Sequence, residues 1–326
     1  MNRALSPTEL GALEDFHDLN PTEEDFCTSV IEGLSREQKI LSCKFFYDQR
    51  GSELFDRITT LDEYYPTRSE INILERSSTD IAAAVGDQPT VIEFGAGSVQ
   101  KIRLLLDAVH APVFVPIDIS RDHLVRCAKD LADDYPETRV VAICADFTND
   151  VALPKDLPSN NRLGFFPGST LGNFTRGEAR QFLERTRTTL GSGSAFLIGI
   201  DLRKDTETLH AAYNDSSGIS AAFNLNLLKR INHELDATFD LTAFRHNAPW
   251  VEEHGRIEMR LYSTVNQNVT VAGKSFQFTK GEYIHTENSH KYSVSEFQAL
   301  AIGAGYEPAK VWIDDAEQFS LHYLRA

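Results

Sequence analysis

The stretch VIEFGAGSVQ, residues 91–100, runs from an apolar segment into one acid and two glycines. A glycine-rich turn after a buried strand lets backbone approach a ligand closely, and it aims the N-terminus of the next helix at the same spot. Dinucleotides, phosphates and sulfonium cofactors all use such turns, so the surrounding chain must choose among them. Short apolar runs of the same kind recur at TVIEFG (90–95), VFVPIDI (113–119), VVAICAD (140–146), LGFFPGS (163–169) and AFLIGID (195–201). They are rich in β-branched and aromatic residues and read as strands. Between them, SVQKIRLLLDAV and SRDHLVRCAKDLADDY space their apolar residues as helices do, with Ser98 and Ser120 placed as N-caps. Strands alternating with helices predict a parallel sheet covered on both faces, a doubly wound α/β domain.

The alternation breaks after residue 203. A helical stretch, TETLHAAYNDSSGISAAFNLNLLKRINHEL, precedes RIEMRLYSTV, NVTVAGKSFQF and EYIHTENS, whose alternating pattern and Ala272-Gly273-Lys274 turn predict an antiparallel sheet with one exposed face. The α/β pattern then resumes with SVSEFQALAIGAGYEPAKVWID and the terminal FSLHYLRA. A helix, a strand and a last β-rich segment without a crossover helix predict an antiparallel hairpin added to the parallel sheet. Plain dinucleotide-binding domains rarely end in this way, whereas Rossmann-like S-adenosylmethionine (SAM) methyltransferases do.

The nicotinamide fingerprint asks for a third glycine three positions after the second, and Gln100 stands there. Lys101 in the first helical turn weakens the dinucleotide reading further. Asp118 ends the second strand, where a carboxylate accepts both hydroxyls of a ribose, and Asp146 ends the third, where it faces an adenine amino group. These two acids alone are ambiguous, because a strand-end Asp is also common as a helix cap. Glu93, Gly95, Gly97, Asp118 and Asp146 together, all at carboxyl ends of strands, point to a ligand along that edge.

Composition narrows the partners. A net charge of −16 and a pI near 5.0 repel phosphate backbones and anionic lipid, so neither nucleic acid nor membrane is expected. The segment MNRALSPTELGALEDFHDLN is too polar and acidic for a signal peptide, and a cytoplasmic location is expected. Cys27, Cys43, Cys127 and Cys144 are scattered without CxxC spacing, which predicts reduced, mostly buried thiols. The histidines are spread singly, and no metal site is expected.

Seven collinear segments carry a family resemblance: FFYDQRGSELFDRITTLDEYYPTRSE, EFGAGSVQKIRLLLDA, FFPGSTLGNFT, DLRKDTETLHAAYNDSSGISAAFNLNLL, FDLTAFRH, RIEMRL and HTENSHKYS. From about residue 43 to the C-terminus the chain resembles the L-histidine-specific Nα-methyltransferases of ergothioneine biosynthesis. The resemblance implies trimethylation of the α-amine of L-histidine to hercynine, with SAM as donor and S-adenosylhomocysteine as by-product. It implies a Rossmann-like class I SAM-dependent methyltransferase domain from 68–203 and 292–326. It also implies an α+β substrate-binding domain from 1–67 and 204–291, and a monomer. The first 40 residues or so lie outside the match and are expected to be a helix completing the second domain or a disordered tail.

Methyl transfer from a sulfonium is an in-line displacement, so a neutral amine must face the leaving sulfur at close range. Tyrosine hydroxyls suit such a site because they exchange hydrogen bonds without adding charge. By similarity Asn173, Tyr64 and Tyr213 clamp the amino acid backbone, Tyr47 lies near the reacting amine, and Phe147 joins Lys101 and the strand-end residues around the cofactor. Taken singly, each tyrosine reads more readily as an amphipathic core residue with its hydroxyl satisfied. In DEYYPTR, however, two aromatics precede a proline that blocks helix continuation, a loop-like setting suited to a binding lip.

Reading an imidazole requires partners for two ring nitrogens. Glu287 and Ser289 are two apart and share one face of an extended chain, offering a carboxylate for one N–H and a hydroxyl for the other nitrogen. Ile257, Met259 and Leu261 likewise share a face, and the family pattern sets Met259 against the substrate ring. A solvated Glu287 and a core Met259 are the plainer alternatives without the family. Runner-up activities are methylation of a tryptophan derivative, a nicotinamide oxidoreductase, and a non-catalytic amino acid or SAM sensor.

Overall fold

The computed structural model describes residues 15–19, 26–97 and 99–326. Its central sheet has eight strands: β1 (Asp15–Asp18), β2 (Thr90–Phe94), β3 (Val113–Asp118), β4 (Arg139–Cys144), β5 (Arg162–Phe166), β6 (Ala195–Asp201), β13 (Glu307–Ile313) and β14 (Phe319–Arg325). Their spatial order is β1-β4-β3-β2-β5-β6-β14-β13, and β14 runs antiparallel to both β6 and β13. The expected terminal hairpin is present, and the five quoted runs supply β2 to β6.

Why these strands read as unbroken apolar runs is visible in their packing. Along β2, Val91 faces one core with Leu105 and Leu124, and Ile92 faces the opposite core with Phe182 and Phe297. The first face is covered by α3 (Tyr65–Arg76), α4 (Ser78–Val85), α5 (Val99–Val109) and α6 (Arg121–Asp134). The second is covered by α7 (Arg176–Leu190) and α10 (Val294–Gly303). With apolar cover on both sides, no strand position tolerates solvent-directed polarity.

A third core joins the segment before the sheet to the insertion after β6. It packs α1 (Phe26–Leu34), α2 (Gln49–Thr59), α8 (Thr206–Tyr213) and α9 (Ile219–Glu234) against β7 (Phe244–Asn247), β9 (Arg256–Ser263), β10 (Gln267–Val271), β11 (Lys274–Phe278) and β12 (Tyr283–His290). Strand β9 lies between β12 and β7 and also pairs with β8 (Trp250–Val251). Ile257, Met259 and Leu261 are all buried on one face of β9. The β10–β11 hairpin turns through Ala272 and Gly273, both at positive φ, as a tight primed turn demands.

Several local expectations change. The long helical stretch is two helices, because the Asp215 carboxylate accepts from the Ile219 and Ser220 amides (2.8 and 2.7 Å) and starts α9 afresh. Pro66 does not close a helix; it sits in the first turn of α3, where its missing N–H is harmless. Ser120 occupies the N-cap position of α6 without a side-chain capping bond, and Ser98 lies outside the described residues. From the N-terminal segment, α1 buries Val30 and Leu34 in the third core, while β1 pairs in parallel with β4 at the sheet edge. All four cysteines are free thiols, two of them buried. No helix among the described residues is long and apolar enough to cross a membrane.

Candidate active site

Beyond the carboxyl end of β5 the chain makes a tight loop that faces the third core. Gly168 and Ser169 both take left-handed conformations (φ 79° and 56°), uncommon for a serine. Two bonds hold the loop: the Gly168 amide donates to Glu70 Oε2 (2.8 Å), and the Asp201 amide donates to Ser169 Oγ (2.9 Å). At Gly172 a Cβ would lie 2.9 Å from the His290 carbonyl, so only glycine lets this loop press against β12. That contact carries Asn173 to Glu287, and the Asn173 amide hydrogen-bonds its carboxyl.

A pocket opens between the loop and the inserted elements. Tyr47, Tyr64, Asn173, Tyr213, Met259, Glu287 and Ser289 all line it, together with Phe55 and Phe223. The seven residues named from sequence thus converge from six separate segments. Tyr64 and Tyr213 meet edge to face with ring centroids 6.2 Å apart. Burial lifts both phenols far above their ordinary range, so they are neutral hydroxyls at any physiological pH. Tyr47 keeps 37% of its surface exposed at the pocket mouth, against Phe55 and Phe223.

Burial pushes the Glu287 carboxyl up to about 7, against the pull of the Lys291 ammonium and the Asn173 hydrogen bond. It is therefore poised near the range in which an imidazole titrates. Behind the pocket wall lies a charged cluster that spacing did not reveal. Lys291 is fully buried and donates to Asp201 Oδ2 (2.5 Å), Tyr213 Oη (2.9 Å) and Ser289 Oγ (2.7 Å). Asp201 also accepts from Lys204 (2.6 Å) and Tyr65 (2.8 Å). Burial alone would raise Asp201, but the two ammonium groups hold it below its ordinary value. Lys204 is lowered to about 8 because burial outweighs Asp201.

The other candidate residues lie along the carboxyl edge of the sheet. Gly95 has φ 76°, and a Cβ there would stand 3.3 Å from the Phe147 ring, so a bare backbone is required. Phe147 packs on Phe166 and Phe182. Asp118 accepts from the Ser120 amide (2.7 Å), and Asp146 accepts from the Thr148 amide and hydroxyl (2.9 and 2.6 Å). Glu93 is buried with Oε1 lacking a partner among the described residues, and burial holds its carboxyl well above the ordinary range. Lys101 is buried against Glu70 (2.7 Å), so its charge secures the loop after β5. The glycine cradle, the orphaned Glu93 oxygen and the strand-end acids suit a polar, partly cationic ligand such as SAM.

The model of the family described as "Histidine-specific methyltransferase, SAM-dependent" matches residues 26–326. The chain is 41% identical over 298 residues to the histidine N-alpha-methyltransferase of Mycolicibacterium smegmatis, covering 90% of this chain and 92% of that protein. It is 39% identical to the histidine N-alpha-methyltransferase of Mycobacterium tuberculosis, with the same two coverages. It is also 30% identical to ergothioneine biosynthesis protein 1 of Neurospora crassa, where the match takes 85% of this chain and 32% of the longer fungal protein. A class I methyltransferase sheet, a tyrosine-lined pocket at its carboxyl edge and a match over nearly the whole described chain lead to one conclusion: this protein belongs to the family of SAM-dependent, histidine-specific methyltransferases.

Proposed function

We propose that the protein transfers three methyl groups from SAM to the α-amine of L-histidine, giving hercynine for ergothioneine biosynthesis. The observation that carries this reading is the pocket in which Glu287, Ser289 and Met259 stand together with Asn173 and three tyrosines, beside the loop after β5. The Mycolicibacterium and Neurospora relatives support it by their names.

Bound SAM supplies an electrophilic methyl group on a sulfonium. Gly95, Gly97, Asp118, Asp146, Phe147 and Glu93 hold the donor along the sheet edge. The inserted elements, with the segment before the sheet, form the substrate lobe. There Tyr64, Tyr213 and Asn173 hold the amino acid backbone, while Glu287 and Ser289 take the two ring nitrogens and Met259 packs on the ring face. An indole has one N–H for Glu287 but no ring acceptor, so it would leave the Ser289 hydroxyl desolvated without its partner, a penalty of about 1–3 kcal/mol.

The amine must lose a proton before each transfer. Neutral tyrosine hydroxyls favour this by withholding any anion that would lock the ammonium form. Tyr47, exposed at the pocket mouth, takes the amine proton on its oxygen as it hands its own proton to water, so that it ends the step as a neutral phenol. Mass spectrometry of histidine incubated with protein and SAM tests the reading. A product heavier by three methylene units supports it; no product from histidine, with methylation of an indole amino acid, overturns it.

A further inference from the structure

Resting on the reading just given, we infer that Lys291 is a specificity-determining positioning residue: it fixes the hydroxyl hydrogens of Tyr213 and Ser289 so that Ser289 presents a donor, and the site takes the imidazole neutral.

The argument is a count of hydrogens. An ammonium has three N–H donors and no acceptor. All three of Lys291 are spent, on Asp201 Oδ2, Tyr213 Oη and Ser289 Oγ. Both hydroxyl oxygens therefore accept from Lys291. They also lie 2.7 Å from each other, so one donates to the other. A phenol is the better donor and a serine hydroxyl the better acceptor, which sets the order Lys291 to Tyr213 to Ser289. With two bonds accepted, the Ser289 oxygen has no lone pair to offer, and its remaining hydrogen points into the pocket it lines. A ring nitrogen meeting it must carry a lone pair. The other nitrogen then carries the hydrogen and meets Glu287. An imidazolium, with N–H on both nitrogens, sets donor against donor at Ser289.

The charged and titratable groups facing this cluster are Asp201 at the end of β6, Lys204 just beyond it, Tyr213 on α8, Tyr64 and Tyr65 at the start of α3, Tyr47 and Cys43 before α2, and Glu287 on β12. The phenols and the Cys43 thiol stay protonated below pH 8, and Asp201 stays ionised. Between pH 5.5 and 7.5 Glu287 titrates alongside the free ligand's ring, while Lys204, at about 8, starts to lose its proton only at the top of the range and is fully charged at pH 5.5.

Binding a neutral imidazole to an ionised Glu287 at pH 5.5 releases a proton from each, nearly two in all. Lys291→Met removes the hydroxyl lock: Ser289 can turn to accept, the site admits the imidazolium, and about one proton fewer is released. Calorimetry of histidine binding at pH 5.5, in buffers of different ionisation heat, reads that count directly. The wild-type affinity should fall more than about tenfold from pH 7.5 to 5.5, and that of Lys291→Met markedly less. Ser289→Ala should flatten the profile likewise, and adding Lys291→Met to it should change the proton count no further. Tyr213→Phe, which leaves the buried ion pair intact, keeps the test open should Lys291→Met fail to fold; it frees one lone pair on Ser289 and should shift the count in the same direction. Equal proton release in wild type, Lys291→Met and Tyr213→Phe overturns the inference. A wild-type protein that does not bind histidine overturns the proposed function instead.

Discussion

Replacing Glu287 by Gln should make the protein more stable and less active, and the two effects separate by pH. The carboxyl stands at about 7 in the folded protein against an ordinary value near 4.5, because burial penalises its charge more than Lys291 and Asn173 relieve it. An acid whose folded-state pKa is raised leaves stability untouched below its unfolded value. The destabilisation grows as pH climbs through 4.5 and is complete above about 7. At 1.36 kcal/mol per tenfold, that difference amounts to roughly 3 kcal/mol. Glutamine has nearly the same shape and cannot ionise, so at pH 8 the ligand-free variant should gain up to about 3 kcal/mol, and at pH 4.5 almost nothing. Urea unfolding at the two pH values measures this. Activity moves the other way, because a hydrogen bond to a charged group contributes about 1.5–3 kcal/mol, and its loss should lower kcat/KM for histidine about ten- to a hundredfold. A variant with the same stability difference from wild type at both pH values, or with unchanged kcat/KM, would refute the placement of a strained carboxylate against the ring.

Gly95→Ala forces an L-residue into the left-handed region at about 1–2 kcal/mol and brings its Cβ against Phe147; S-adenosylhomocysteine affinity, by calorimetry, should fall several-fold while histidine affinity holds. Lys101→Met leaves the fully buried Glu70 without its ion pair, so urea unfolding should show a loss of about 3–5 kcal/mol. Tyr47→Phe should lower kcat more than it changes KM for histidine, since it removes the hydroxyl proposed to relay the amine proton to water and leaves Glu287 and Ser289 in place; an unchanged kcat removes Tyr47 from the proton path.

What was legible in sequence follows from the range of the forces involved. Strands β2 to β6 announced themselves because apolar cover on both faces makes them near-continuous apolar runs, with the acids Glu93, Asp118 and Asp201 set at or near their carboxyl ends. Glu287 and Ser289 were readable as a pair because a strand repeats every two residues, and β12 sets both into the pocket despite a register shift between His285 and Glu287. The short β1 gave no such signal: DFHD is half-buried at an edge and carries no apolar run. The break between α8 and α9 was hidden because Asn214–Gly218 interrupts the chain without disturbing the apolar spacing on either side. Least visible were the ion pairs. Lys291 and Asp201 are 90 positions apart, and Glu70 meets Lys101 from a different helix, so no local pattern could join them. Lys291 stands between His290 and Tyr292 in HTENSHKYS, and a lysine flanked by polar residues carries no sequence sign of burial.

That lysine sits where the inserted lobe returns to the sheet. The chain leaves β6 at Asp201–Lys204 and re-enters at Lys291–Tyr292, and the two crossings are stitched together. The Tyr292 amide donates to the Asp201 carbonyl (3.2 Å), and the Arg203 amide donates to the Tyr292 carbonyl (3.0 Å). The buried Lys291–Asp201 pair lies within this junction, so separating the crossings would strand two desolvated charges. The same ammonium holds Tyr213, at the end of α8, and Ser289, near the end of β12. One side chain therefore couples the anchorage of the inserted elements to the orientation of two hydroxyls that line the pocket, and so ties the pocket to the sheet edge. On the function proposed above, this junction would set how the inserted elements aim an amine at a donor held along the carboxyl edge of the sheet.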